Sequence, residues 1–295
     1  MKQLPLTPGA LVLEGGGMRG AFTAGVLDFF LDKEIMFDRI YGVSMGACHA
    51  CSYISQQRGR AFSVVADYIN DPRYMSYKSR LLGGDLFPEK FVYHTIPDEL
   101  YPFDYKTFEN YKGEFYVGLT DCRTGKAAYA RVSELARDID FVRASASLPG
   151  FSRIVKVGGG EYLDGGMADS IPVMKAAEGG SKRIVTILTQ EKGYVKPPSK
   201  SYRFTRVIHM LHPKLSEAVK NRHIMYNKTL DYIDEKEAAG EMFVIRPPKG
   251  SLNISRLERD RDKLQALYER GYETAAENYE ALTDYLRINE RIEVQ

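Results

Sequence analysis

Two stretches, Ala10-Leu11-Val12-Leu13-Glu14-Gly15-Gly16-Gly17-Met18-Arg19-Gly20 and Ile40-Tyr41-Gly42-Val43-Ser44-Met45-Gly46, decide how this chain folds. In each, a short apolar run stops at a glycine-bearing turn and a helical pattern follows. Continuous apolarity over so few residues reads as a strand buried on both faces. After Gly20, residues Phe22, Val26, Phe29 and Phe30 recur at helical spacing up to Asp32-Lys33; after Met45, small residues run to about Ile54. Strand, glycine loop, helix, strand, tight turn, helix is the rhythm of a parallel sheet. Further strands are expected at 115–119, 127–132, 154–157 and 183–188, the first two joined as a hairpin through Asp121-Cys122-Arg123-Thr124-Gly125. The expected fold is a three-layer α/β/α sandwich with a central, mostly parallel sheet.

Outside that rhythm lie two regions. Residues 72–108 carry nine aromatics, with prolines at 72, 88, 97 and 102. They predict irregular helices and loops over one end of the sheet, either as ordinary core packing or as the cap of an apolar pocket. After Pro197-Pro198 the composition turns helical and charged, with a strand-like Met242–Ile245 and a capping box at Ser255-Arg256-Leu257-Glu258. The division is thus an α/β unit at 9–190 and a helical C-terminal extension at 191–295, whose role the sequence does not state.

At 295 residues, 44% hydrophobic and 27% charged, the chain carries enough apolar material for a core, which excludes disorder as its main state. A net charge of +2 gives no global reason to expect nucleic-acid binding. Cys48, Cys51 and Cys122 are too few for a disulfide framework and fit a reducing compartment. The first residues lack the apolar run of a signal peptide, and no stretch approaches the ~20 apolar residues of a spanning helix. These features predict a soluble cytoplasmic protein, one that is still able to meet a membrane from outside.

Gly42-Val43-Ser44-Met45-Gly46 fits the G-x-S-x-G nucleophile elbow, in which bulky flanking residues would clash with a sharp strand-to-helix turn. Read alone, it is equally a serine N-cap on an ordinary turn. Gly15 to Gly20 form a loop whose backbone N–H groups can converge on an anionic atom, either an oxyanion or a phosphate. Its G-x-G-x-x-G spacing also fits a dinucleotide site. Such a site wants an acidic residue closing the second strand, whereas that strand ends in Ser44 and Asp38 precedes it. Leu163-Asp164-Gly165-Gly166 puts a carboxylate on a turn, 120 residues after Ser44.

In order, these three motifs resemble the signatures of the patatin-like phospholipases. Ala144-Ser145-Ala146-Ser147-Leu148-Pro149-Gly150-Phe151 is similar to the segment that this family places ahead of its aspartate. The resemblance covers roughly residues 9–190. It implies a lipid acyl-ester hydrolase of phospholipase A or lysophospholipase type, with a Ser44–Asp164 dyad, no catalytic histidine, and no metal or organic cofactor. It further implies an oxyanion loop of Gly15, Gly16, Gly17, Met18, Arg19 and Gly20, with the amides of Gly16, Gly17 and Met18 as donors. Gly42 and Gly46 would shape the elbow, and Gly165 and Gly166 the aspartate turn.

Other readings of the residues stay open. His209 or His212 after Asp164 would reproduce the Ser…Asp…His order of a triad carboxylesterase. His49, five residues after Ser44 on a helix, faces the wrong way for a base. Cys48-His49-Ala50-Cys51 lacks the second ligand pair of a zinc site and is better read as buried thiols. His209-Met210-Leu211-His212 is half a site, and Asn253-Ile254-Ser255 matters only in a secreted protein. A non-catalytic lipid-binding protein on the same fold is the remaining alternative. Residues 192–216 hold six cations (Lys192, Lys196, Lys200, Arg203, Arg206 and Lys214) and no acid, with Tyr194, Tyr202 and Phe204 interleaved. They read either as a solvated linker or as a surface for anionic lipid headgroups.

Overall fold

β1 (Leu6–Leu13) alternates its side chains between two apolar layers, and this places it at the centre of the molecule. The computed structural model describes residues 3–200, 202–208, 210–251 and 254–288. Leu11 and Leu13 face a core shared with α1 (Gly20–Asp32), α2 (Met45–Ile54) and α3 (Arg60–Tyr68), while Ala10 and Val12 face a second core. β2 (Met36–Val43) and β7 (Ile184–Ile187) flank β1, both parallel to it. β3 (Glu114–Asp121) extends the parallel array beyond β2, and β8 (Met242–Ile245) extends it beyond β7. The mostly parallel α/β/α sandwich expected from the sequence is the fold observed.

Between β2 and β3 the aromatic segment forms α4 (Tyr77–Leu81), a π-helical stretch Phe91–Leu100 with Pro97 inside it, and α5 (Tyr105–Glu109). It is tied down by the ion pair of Arg153 with Asp85, 2.7 Å, and by Arg80 Nε donating to the Gly150 carbonyl, 2.7 Å. The hairpin partner β4 (Ala127–Arg131) runs antiparallel to β3. After α6 (Leu135–Ser145) come β5 (Val155–Val157) and β6 (Gly160–Asp164), antiparallel to one another, and then α7 (Val173–Glu178).

β3 has one edge shared end to end. Tyr116, Val117 and Gly118 pair with both β2 and β4, so those two strands lie on opposite edges. Leu119 and Thr120 pair with both β4 and β6, so β6 lies on the edge that β2 has just left. Val43 is opposite Gly118, and Asp164 is opposite the next residue, Leu119. The register alone therefore brings the end of β2 up against the end of β6.

The last hundred residues share the core rather than hanging from it. α8 (Tyr202–Ile208) and α9 (Pro213–Ala238) lead to β8; α9 contributes Tyr226 and Ile233 to the second core. α10 (Arg261–Glu277) and α11 (Tyr279–Leu286) bury Leu264, Leu267, Leu282 and Leu286 in the first. The capping box foreseen at Ser255–Glu258 does not open a helix. Ser255 N–H does lie 3.5 Å from Glu258 Oε2, but α10 begins at Arg261, where the Asp260 side chain accepts from the amides of Asp262 and Lys263. That aspartate gives the first turn a cap the box would have duplicated.

α10 crosses α1 at two glycines. A Cβ at Gly25 would run into the Tyr268 carbonyl oxygen, and one at Gly271 into that of Phe22. Phe29 packs edge-on against Tyr272 and Tyr279, and Tyr268 donates to Asp28, 2.8 Å. Gly25→Ala isolates this contact, because in a free helix the substitution would stabilise by ~1 kcal/mol, whereas here it overpacks backbone against backbone at a cost of about 1–3 kcal/mol. The variant should melt below the wild type in a thermal denaturation; an unchanged or higher melting temperature would show that α10 does not dock this closely.

Candidate active site

The chain reverses its direction of winding around β1, whose neighbours are β2, the next strand in the sequence, and β7, which comes only after β6. In open α/β sheets such a switch opens a crevice at the strands' carboxyl ends. The loop after β1 and the turn after β2 both lie there. Gly17 begins a single 3-10 turn, Gly17–Arg19, before α1; Ser44 sits between β2 and α2 with φ 55° and ψ −126°. For a residue with a Cβ this backbone costs of order 1–3 kcal/mol and must be held by its surroundings. Gly46 is required two residues on, since a Cβ there would lie 2.7 Å from the Leu13 carbonyl oxygen.

A network of hydrogen bonds holds the turn and its partner. Ser145 Oγ accepts from Ser44 N–H, 2.8 Å, and donates to the Gly118 carbonyl, 2.6 Å. Ser44 Oγ donates to Asp164 Oδ2, 2.8 Å. Asp164 Oδ1 accepts from Gly166 N–H, 2.7 Å, and the Asp164 amide donates to the Ser147 carbonyl, 2.8 Å. Thr120 Oγ1 donates to the Asp164 carbonyl, 2.8 Å, and accepts from the Ala168 amide, 3.2 Å. Ser145 and Ser147 stand in the Ala144-to-Phe151 segment that the sequence singled out, and their work is to clamp both halves of the Ser44–Asp164 pair.

Ser44 and Asp164 are both buried. Burial pushes the Asp164 carboxyl above its ordinary value, and the Arg222 guanidinium, the Ser44 hydroxyl, the Gly166 amide and Arg256 pull it back. A carboxylate so placed is a better proton acceptor than a solvated one, yet is kept ionisable by the arginines. The pair opens into a cavity lined by Met45, Val65, Tyr74, Phe87, Ile96 and Val142 among others, so the aromatic segment does wall the space in front of the serine.

The loop after β1 is only partly free. Gly15 N–H donates to the Ser170 carbonyl, 3.1 Å, and Met18 N–H to the Arg256 carbonyl, 3.1 Å. The amides of Gly16 and Gly17 have no partner among the described residues, which leaves them, rather than the three amides of the expected set, available to a ligand. Arg19 turns away from the serine and donates from Nε to the Ile254 carbonyl, 3.0 Å.

Among the histidines, none of the described ones contacts Asp164. His212 Nε2 is 3.0 Å from Glu161 Oε2, His223 Nδ1 is 3.1 Å from the Lys220 carbonyl, and His94 is exposed. His49 is buried, and burial holds it down at about 4, hence neutral. His209 and the asparagine of Asn253-Ile254-Ser255 lie outside the described residues. Cys48, Cys51 and Cys122 are free thiols; burial pushes Cys48 up to about 12. Asp38 accepts from the Gly9 amide, 2.9 Å, a turn contact within the sheet.

Sequence reasoning missed two arginines at this site. Arg222, on α9, donates from Nε to the Gly166 carbonyl and from Nη2 to Ser170 Oγ, 3.2 Å; Arg256, ahead of α10, lines the same cavity. Arg222 sits in no motif and Arg256 was read only as part of a capping box; both come from the C-terminal region to which the sequence assigned no role. Of the six cations at 192–216, Lys192 pairs with Glu237 and Lys214 with Glu217, while Lys196 turns inward over the Tyr226 ring, 3.9 Å from its centroid.

A mostly parallel α/β/α sandwich, with its candidate reactive groups gathered at the carboxyl ends of the strands, is the class of protein that fold and site define. Similarity to known proteins narrows it. Residues 11–177 match the model of the patatin-like phospholipase family and residues 212–287 that of a domain of unknown function, DUF6363. The chain belongs to the patatin-like phospholipase family. It is 33% identical over 258 residues to the uncharacterized protein YjjU of Escherichia coli (strain K12), a match covering 83% of this chain and 70% of that one. It is 28% identical over 185 residues to Lysophospholipase NTE1 of Debaryomyces hansenii, covering 60% of this chain but 11% of that one, so the chain spans a small part of that relative. Among solved structures it is similar to VipD from Legionella pneumophila, with a TM-score of 0.48, 12% identity, and coverage of 93% of this chain and 67% of that chain.

Ser145→Ala tests how the elbow is held. It leaves the buried Ser44 amide and Gly118 carbonyl without their shared partner, which should lower stability by about 1–3 kcal/mol in urea unfolding. Wild-type stability would mean that the strained turn is held by other contacts.

Proposed function

We propose that this protein hydrolyses acyl esters of lipids, with Ser44 as nucleophile and Asp164 as general base. The observation that carries the reading is the direct Ser44 Oγ–Asp164 Oδ2 hydrogen bond, 2.8 Å, at the mouth of an apolar cavity. As Ser44 Oγ attacks the carbonyl carbon, its proton passes to Asp164 Oδ2; the oxyanion that forms is received by the free amides of Gly16 and Gly17. Asp164 then protonates the departing alcohol and leaves Ser44 acylated. A water molecule gives its proton to Asp164, its oxygen attacks the acyl carbon, and the fatty acid departs as the proton returns to Ser44. The acyl chain would lie among Val65, Tyr74, Phe87 and Ile96. The NTE1 relatives are named lysophospholipases, which makes lysophospholipids the first esters to try.

Direct contact between serine and carboxylate favours a dyad over a Ser-His-Asp triad. Ser44→Ala and Asp164→Asn should each lower turnover of a p-nitrophenyl ester and of a lysophospholipid by about 10³-fold or more, and a fluorophosphonate should label the wild type but not Ser44→Ala. Folded wild type that neither turns over nor labels would instead support a lipid-binding role on this fold.

Contact with an anionic membrane is the second part of the proposal. On α8, Arg203 and Arg206 are exposed alongside Phe204 and Val207, which are 54% and 69% exposed. Apolar and basic side chains on one short helix suit an interfacial role. Each cation near an anionic surface is worth about 1 kcal/mol, so Arg203→Glu with Arg206→Glu should sharply reduce sedimentation with phosphatidylserine-containing vesicles. Sedimentation at the wild-type level would remove this helix from the membrane contact.

A further inference from the structure

A second cavity adjoins the one in front of Ser44. The two share Leu148, Arg222, Arg256 and Leu257 as a common wall, and the far side of the second is lined by Arg19, Lys196, Tyr194 and Thr205. Four cations thus converge from four separate segments: the loop after β1 (Arg19), the loop after β7 (Lys196), α9 (Arg222) and the loop before α10 (Arg256).

Among the described residues the four cations outnumber the two acids that attract them, Glu14 and Asp164. Glu14 is the nearby acid, and both its oxygens are committed, Oε1 to the Tyr226 hydroxyl, 2.5 Å, and Oε2 to the Thr189 amide, 2.6 Å. Asp164 is committed to Ser44 and Gly166. No carboxylate of the described residues pairs with Arg19, Lys196, Arg222 or Arg256. Burial, and after it the neighbouring arginines, hold Lys196 down at about 7 and Arg222 at about 10, and Arg256 adds to burial in lowering Arg19. Collecting like charges in a partly enclosed space is unfavourable unless an anion joins them.

From this arrangement we infer that the second cavity is a phosphate subsite, formed by Lys196, Arg222 and Arg256 with Arg19 behind them, and that it receives the headgroup phosphate of the ester substrate whose acyl chain occupies the first cavity. The inference rests on the hydrolase reading above and deepens it. Arginine forks and a lysine ammonium are the donors that suit phosphate oxygens. The shared wall of Arg222 and Arg256 sets this anion site beside the cavity that holds the dyad, an arrangement that suits an ester carrying a phosphate better than a neutral glyceride. Arg222 also reaches Asp164 through the Gly166 turn, so a bound phosphate would be sensed by the base's own hydrogen-bond partners. Arg222 and Arg256 both lie in the stretch that matches the domain of unknown function, which thereby gains a part in holding the substrate.

The test has two arms. In the first, kcat/KM is measured for a lysophosphatidylcholine and for the monoacylglycerol with the same acyl chain. The wild type should prefer the phosphate-bearing ester, and the preference should shrink about ten-fold in Lys196→Gln and in Arg256→Gln, the size of one charge-assisted hydrogen bond. In the second, inorganic phosphate is titrated against the melting temperature of wild type and both variants. It should raise that of the wild type saturably and that of the variants less. Phosphate stabilisation without any change in substrate preference would mark a site for the free ion and overturn the headgroup assignment; no phosphate effect together with an unchanged preference would overturn the subsite altogether. Protein that binds phosphate but cleaves no ester would refute the hydrolase reading instead.

Discussion

One edge of β3 governs this molecule. β2 pairs along it as far as Gly118 and stops; β6 takes it up at Leu119 from the opposite direction. The chain that leaves β2 must turn sharply into α2, and the chain that leaves β6 must turn at Gly165-Gly166, so two turns meet tip to tip with Ser44 on one and Asp164 on the other. The 2.8 Å bond between them is a consequence of sheet register. A shift of one residue in either strand would reverse the faces of its side chains and part the pair. The strained backbone of Ser44 is sustained by the same junction, because Ser145 spans from the Ser44 amide to the carbonyl of Gly118, the last residue of β3 paired with β2.

The C-terminal hundred residues complete the site rather than surround it. The Arg256 carbonyl fixes the Met18 amide and so sets the shape of the glycine loop, and a Cβ on Gly17, whose φ is +60°, would come within 2.5 Å of that carbonyl. α9 brings Arg222 against the Gly166 turn, and α10 is locked on α1 through the paired glycines. Glycine loop, Asp164 turn and cavity wall therefore belong to one packed core, in which the electrostatics of Asp164 depend on arginines far along the chain.

Much of this was legible beforehand for a physical reason. Strands buried on both faces must be apolar throughout, so Ala10-Leu11-Val12-Leu13 and Ile40-Tyr41-Gly42-Val43 announce themselves; β1 and β2 only begin a few residues earlier, where Thr7-Pro8-Gly9 and Phe37-Asp38-Arg39 dilute the pattern. Turns that admit no Cβ must be glycine, which marks Gly46 and Gly17. The weaker signals failed where local chemistry had two equal solutions. Ser255 and Glu258 make a plausible cap, but Asp260 begins the helix, and the amide of Met18 looked free until a carbonyl from residue 256 was brought to it.

Sequence by itself determined the alternation of strand and helix, the glycine loop, the serine turn and the aspartate turn, because each depends on residues adjacent in the chain. Only the tertiary structure decided that Ser44 and Asp164 touch without a described histidine between them, that Gly16 and Gly17 keep their amides free, and that Arg19, Lys196, Arg222 and Arg256 converge. Contacts of that kind join positions as much as 237 residues apart, from Arg19 to Arg256, and no periodicity or local motif encodes them; they exist because burying two faces of one sheet leaves the distant segments no other place to pack.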